Sequence, residues 1–402
     1  MSNPAPHAGA FTAAPAPDAL PPLALYLHFP WCVRKCPYCD FNSHELKEQL
    51  PEERYIDALL ADVAAQAPRA GGREVVSLFL GGGTPSLFAP AALARLFAGL
   101  REQLAIAPGA EVTLEANPAT VERGRFAEYR AVGINRVSLG AQSFDDETLK
   151  LLGRIHQRSD VLRAAAELHR SDLSNFNLDL MYALPHQSLR GALDDIEAAL
   201  ALEPAHVSHY QLTLEPGTLF AARPPPLPDD ELAWQMQLGC QALLGARSYG
   251  QYEVSAYARP GRQCRHNLNY WRFGDYLGVG AGAHGKLSGS SIARSTHLRE
   301  PRRYFAATAH GPEWRDVPRA DLPFEFMLNA LRLTEGFAPA EFTAATRLAA
   351  DALTPTLQDL AADGLLELQQ GRWRTTARGL QFLNEVLQRF LPSENSPVGA
   401  RS

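Results

Sequence analysis

Leu23-Ala24-Leu25-Tyr26-Leu27-His28-Phe29-Pro30-Trp31-Cys32-Val33-Arg34-Lys35-Cys36-Pro37-Tyr38-Cys39-Asp40-Phe41 joins an apolar run rich in β-formers to a loop that carries three of the chain's five cysteines. The spacing is C-x3-C-x2-C. Thiolates crowded into one loop of a cysteine-poor chain read as ligands of a shared metal centre. Three sulfurs are one short of the four cysteines that most cubane iron–sulfur clusters take, which leaves one iron with an open position for a small molecule. A zinc site completed by His28 or His44 is the competing reading. A disulfide with a spare thiol is weaker, since nothing else in the chain suggests secretion.

Outward from this loop the chain alternates. The pattern predicts strands at 23–29, 75–80, 111–117, 134–139, 176–181 and 206–214. Helices fall between them at 51–67, 90–104, 121–131, 145–152, 159–168 and 188–202. Six strands, each with a helical crossover, imply an α/β fold with a parallel sheet. The expected form is a partial (β/α)6 TIM-like barrel, with a doubly wound sheet as the competitor. Cys32, Gly82, Glu115, Gln142 and Asp179 each fall at or just past the C-terminal end of a successive strand. That rim is where active sites of parallel barrels assemble, and five in register favour the barrel.

The chain of 402 residues is 46% hydrophobic and 20% charged, with a formal net charge of −6. That suits one large domain plus a small one and argues against a dedicated nucleic-acid binder. No apolar run is long enough for a membrane span. Residues 1–22 are Ala/Pro-rich with no basic start or continuous apolar core, so a disordered tail is expected rather than a signal peptide. The other cysteines, Cys240 and Cys264, are isolated. A reducing, cytoplasmic location is expected.

The cysteine loop, with aromatic Tyr38 before its last cysteine, resembles the radical S-adenosylmethionine (SAM) superfamily. The resemblance implies a [4Fe-4S] cluster on Cys32, Cys36 and Cys39, with the amino and carboxylate groups of SAM on the fourth iron. Gly81-Gly82-Gly83-Thr84-Pro85 then resembles the glycine-rich motif that receives the SAM amino group; by itself it is a tight turn that lets a ligand approach the backbone. Glu115 could accept from ribose hydroxyls or the amino group, and Gln142 could donate and accept. Arg154 could hold a carboxylate by a bidentate fork. Asp179 is a further acceptor, and Tyr26 would line the cluster's side of the barrel. The expected SAM set is therefore Tyr26, Tyr38, Gly82, Gly83, Thr84, Glu115, Gln142, Arg154 and Asp179.

LYLHFPWC, CPYCDF, LGGGTPS, LEANP, GAQSF, GRIHQ, DLMYALP and LEPGT together resemble the group that holds oxygen-independent coproporphyrinogen III oxidase and the HemW-like heme chaperones. The match spans residues 23–390. Three features are similar to the chaperone branch. Phe41 stands where the oxidase has an extra cysteine, only 31 residues precede Cys32, and His266-Asn267-Leu268-Asn269-Tyr270-Trp271 matches H-N-x-x-Y-W. The expectation is a heme chaperone that passes heme to acceptor proteins, with peripheral contact to heme-requiring membrane enzymes. The oxidase, a radical SAM enzyme that decarboxylates propionates, is the alternative. In HNLNYW, His266 could ligate heme iron while Tyr270 and Trp271 lie on the porphyrin. A loop anchoring the barrel to a second domain is the other reading. Cys264 is a further candidate for heme.

Gly278-Val279-Gly280-Ala281-Gly282-Ala283 lacks a βαβ frame and reads as a close-packed turn rather than a dinucleotide site. From 322 onward helices at 324–333, 339–345 and 353–363, a hairpin across 369–372 and a helix at 376–390 resemble a small winged-helix-like α+β domain. The expected organisation is a tail (1–22), a barrel (23–255), a connecting segment (256–320), the small domain (321–391) and a flexible tail (392–402).

Overall fold

The computed structural model describes residues 20–120 and 124–392. Six parallel strands follow the chain: β1 (Leu23–Phe29), β2 (Val75–Gly82), β3 (Ile106–Ala116), β4 (Arg136–Gln142), β5 (Phe176–Tyr182) and β6 (His206–Gln211). Each pairs in parallel with the one before it. The order crosses the sheet without reversal, so there is no switch point of the doubly wound kind among these six. This is the partial (β/α)6 barrel. Helices Glu52–Ala70, Pro90–Gln103, Arg158–Arg170 and Leu189–Leu200 make four of the crossovers. The expected helix at 121–131 is seen as Arg125–Val132, its first residues lying outside the described range, as do 1–19 and 393–402 of the expected tails.

One face of these strands carries Leu78, Leu114, Leu139, Leu178 and Val207 into the main apolar core. The other face is polar. Thr113 lies beside Arg136 and Glu115 beside Ser138 in register. Asn177 Nδ2 donates to Ser138 Oγ (2.7 Å), Ser138 Oγ donates to Asp179 (2.9 Å), and His206 Nδ1 meets Asn177 Oδ1 at 2.7 Å. Barrels of this family of shapes are more often filled by branched apolar residues, so a hydrogen-bonded lumen marks the inside as special.

Past the six strands the sheet continues at both edges, to twelve strands among the described residues. β7 (Gly250–Glu253) and β8 (Ala256–Ala258) extend it antiparallel beyond β6. β9 (Asp275–Val279) lies parallel to β1 on its other side. Antiparallel β10 (His284–Ser288), β11 (Ile292–Thr296) and β12 (Glu313–Asp316) follow. The segment 256–320 is therefore not a mere connector. Its glycines allow the close packing: a Cβ on Gly278 would stand 1.8 Å from the His284 carbonyl oxygen, and one on Gly282 2.3 Å from Asn42 Nδ2.

The C-terminal part has helices Leu322–Ala330, Pro339–Thr346 and Thr354–Ala362, then an antiparallel hairpin of β13 (Leu366–Gln369) and β14 (Arg372–Thr375). Three helices and a hairpin are the winged-helix order. The single last helix expected at 376–390 is two, Ala377–Gln381 and Leu383–Gln388, broken at Phe382. Phe326, Phe337, Phe342, Leu357 and Val386 form a separate core, into which the main body sends Phe273 and Ile292. Among the described residues no helix is long and apolar enough to cross a membrane.

Candidate functional site

Trp31–Cys32 pairs for two residues with His44–Glu45, which throws the cysteine loop out beyond the C-terminal end of β1. Trp31 anchors it, edge-on to Tyr55 at 4.7 Å. Cys32, Cys36 and Cys39 are half-buried free thiols. The Cys39 N–H donates to the Cys36 carbonyl at 3.1 Å, and Cys39 Sγ lies 3.6 Å from Ser43 Oγ. Burial pushes the Cys32 and Cys39 thiols up, against hydrogen bonds from Thr84 and Ser43 respectively. Arg154 donates from Nη1 to Cys36 Sγ (3.7 Å) and from Nη2 to the Gly140 carbonyl (2.8 Å), while its buried Nε has no partner.

Three free thiols on one loop, with a guanidinium against one of them, fit a thiolate-bound cluster. The zinc reading loses one of its two candidate fourth ligands. Both ring nitrogens of His28 are taken, by the Tyr26 hydroxyl (3.0 Å) and the Asn42 carbonyl (2.8 Å). His44 Nε2 faces the Arg299 carbonyl at 3.3 Å. Among the described residues no three His, Cys, Asp or Glu are grouped as ligands of a single ion, whereas a cubane spreads its thiolates over separate corners.

The glycine turn lies against the base of this loop. Gly83 N–H donates to the Phe29 carbonyl (2.7 Å) and Thr84 N–H to that of Trp31 (2.8 Å), and Gly82 N–H donates to Glu115 Oε2 (3.0 Å). Gly83 has to be glycine because a Cβ would stand 2.6 Å from the Trp31 carbonyl oxygen. Burial and nearby Asp179 hold the Glu115 carboxyl up at about 8, opposed by the Gly82 bond. Asp179 is raised by burial too, although Ser138 and Asn177 bond to it. At the sharp end of β4, Gln142 takes φ +67° and accepts from the Tyr210 hydroxyl at 3.0 Å. Tyr38 packs on Phe220, ring centroids 6.3 Å apart.

Between the glycine turn and β9 to β10 lies a cavity of about 410 Å³. Tyr26, Gly82 and Glu115 of the expected set line it, together with Tyr270 of the HNLNYW motif. Tyr38, Gly83, Thr84, Gln142, Arg154 and Asp179 of that set do not line it: Arg154 reaches Cys36, Asp179 is bonded to Ser138 in the polar lumen, and Gln142 to Tyr210. His28, named from the sequence only as a zinc candidate, also lines the cavity, with Phe41, Asn42, Tyr276, Gly282, His284 and Arg299, none of which was expected at a ligand site. Of these, His28 was legible: it follows Tyr26 by two residues on a strand and so shares its face. His284 and Arg299 had no local signal.

HNLNYW is a helix, Arg265–Trp271, not a loop, and it closes the lumen. His266 is buried, with Nδ1 3.0 Å from Ser77 Oγ and Nε2 2.8 Å from the Tyr270 hydroxyl. Trp271 is turned away, its ring under the Arg332 guanidinium at 4.3 Å. Cys264 is fully buried, its thiol 3.6 Å from Glu111 Oε1, and offers no surface to a ligand.

Residues 26–199 match the model of the radical SAM superfamily, and residues 317–382 that of the HemN C-terminal domain. Fold and cysteine loop together define a radical SAM protein. The chain is 50% identical to the heme chaperone HemW of Escherichia coli over 92% of its own length and 99% of that protein, and 46% identical to HemW of Haemophilus influenzae over 93% and 99%. It therefore belongs to the HemW family. In fold it is similar to the solved coproporphyrinogen III oxidase HemN of Escherichia coli, with a TM-score of 0.79 at 24% identity, covering 93% of this chain and 91% of that one.

Proposed function

We propose that this protein binds heme and passes it to acceptor proteins, and that Cys32, Cys36 and Cys39 hold a [4Fe-4S] cluster whose open iron takes exchangeable SAM. The relatives named heme chaperones support the heme part. The observation that carries the cluster part is the trio of free thiols beside Arg154, whose buried Nε lacks a partner. Bound there, the cluster and SAM would supply one-electron reductive chemistry.

The chain's own residues divide the work. The N–H groups of Gly82, Gly83 and Thr84 are already spent on Glu115, Phe29 and Trp31, so an ammonium at this turn would be met by acceptors, Glu115 among them. Gln142 and Asp179 offer further acceptors across the lumen, and Tyr26 and Tyr38 wall the ligand in. Arg154 offsets thiolate charge and keeps one donor for a carboxylate. From HNLNYW, Tyr270 is assigned to heme contact; His266 would have to release Ser77 or Tyr270 to reach an iron, and Trp271 would have to leave Arg332. The acceptors are taken to be heme-requiring enzymes, reached from the cytoplasm, including ones met peripherally at a membrane.

Oxidation of coproporphyrinogen is the second reading, favoured by the fold shared with HemN. Anaerobic protein given hemin, and separately coproporphyrinogen with reductant and SAM, separates the two. Stoichiometric retention of heme without porphyrinogen decarboxylation is expected. Catalytic decarboxylation would overturn the chaperone reading.

A further inference from the structure

The cavity between the glycine turn and β9 to β10 has aromatic walls and a cationic rim. Tyr26 is at the back, Tyr270 and Tyr276 stand with ring centroids 4.4 Å apart, and Phe41 reaches over the opening with 61% of its surface exposed. His284 and Arg299 occupy the rim and are exposed. Arg299 is fixed through its backbone, its carbonyl accepting from Asn42 Nδ2 (2.9 Å) and meeting His44 Nε2 (3.3 Å). Among the described residues its guanidinium has neither an ion pair nor a hydrogen-bond partner. After burial, its charge is among those that push the His28 and His284 imidazoles down. An uncompensated cation beside two imidazoles is relieved by an anion. Glu115, the one acid among the described residues of the lining, lies at the floor and is bonded to Gly82.

A flat aromatic body with a carboxylate at its edge satisfies both halves of this surface. Resting on the heme-binding reading above, we infer that this cavity receives the propionate-bearing edge of heme. Arg299 clamps one propionate and the porphyrin lies against Phe41 and Tyr270. The guanidinium fork suits a carboxylate in a bidentate pair, and the rings supply stacking area. Arg299 is then a specificity-determining residue: it distinguishes a tetrapyrrole with free carboxylates from one without.

The test is an anaerobic absorbance titration of the full-length protein with hemin and with hemin dimethyl ester, whose propionates carry no charge. Wild type should bind hemin roughly tenfold tighter than the ester or better, the worth of a charge-assisted pair. Arg299→Gln should bring hemin to the level of the ester and leave ester binding unchanged, with the melting temperature showing that the variant is folded. Equal binding of both ligands by wild type would overturn the inference without any variant, as would an undiminished preference for hemin in Arg299→Gln. Heme binding itself would survive either result. Binding of neither ligand by wild type would instead remove the heme-binding reading, and this inference with it.

Discussion

At Gly82 the backbone takes φ +108°, and a Cβ there would stand 2.4 Å from His28 Cε1. Gly82→Ala therefore adds backbone strain of about 1–3 kcal/mol and pushes His28 off Tyr26 and Asn42. Melting should fall by several degrees and less cluster should be retained; a wild-type melting curve would refute the close contact. Glu115 gives a pH signature. Its folded pKa, about 8, exceeds the ordinary 4.5, so the folded state holds the proton longer than the unfolded chain. The stability tied to that proton is complete below the ordinary value and is lost as pH rises through about 8. Glu115→Gln, which keeps an oxygen for the Gly82 N–H, should gain in melting temperature over wild type between pH 5 and pH 8. A difference independent of pH would contradict the raised carboxyl. At this scale the three cysteines were legible because their signal is local. The contact of Arg154 with Cys36 bridges 118 residues, and no spacing announces it.

Between elements, Asp62 does the tying. Fully buried on helix Glu52–Ala70, it accepts from the Gly280 N–H (3.1 Å), the Tyr304 hydroxyl (2.7 Å) and Gln66 Nε2 (2.8 Å), with His297 Nε2 at 3.1 Å. The turn it holds carries Gly282 against Asn42 of the cysteine loop. Asp62→Ala leaves several buried donors unmet, at a cost on the order of 3–5 kcal/mol, read as a lower urea midpoint. An unchanged midpoint would show the network to be dispensable. The six parallel strands were readable because an apolar residue recurs at every second position along them, turned to the core, in short runs between helical stretches. β10 to β12 read HGKLS, IARST and EWRD, mixed sequences whose strand state comes from pairing at the sheet edge. The helix Arg265–Trp271 was hidden for a like reason: two asparagines in seven residues are poor helix formers, and the lumen it plugs fixes it.

Across the whole molecule the small domain is seated by side chains of the large one. Phe273 meets Phe326 edge-on at 5.6 Å and lies 4.2 Å beneath Lys286 Nζ. Arg332–Glu253 (2.9 Å), Arg272–Glu335 (2.9 Å) and Arg294–Glu325 rim the contact. Phe273→Ala should cost about 3–5 kcal/mol, and limited proteolysis should then cut near 317–321 and release the small domain. Wild-type resistance to protease would argue against Phe273 as the seat. The small domain itself was foreseen from its helix–hairpin rhythm, whereas its seat in Phe273 and Ile292 lies in a segment that reads as a linker. All of this holds the cysteine loop over a polar lumen, and what those thiols bind decides the chemistry. Metal and sulfide analysis of wild type and Cys36→Ala after anaerobic reconstitution tests it most directly. About four irons and four inorganic sulfides per wild-type chain are predicted, with the cluster lost in the variant; zinc in place of iron, no inorganic sulfide, or an unchanged iron content in Cys36→Ala would contradict it.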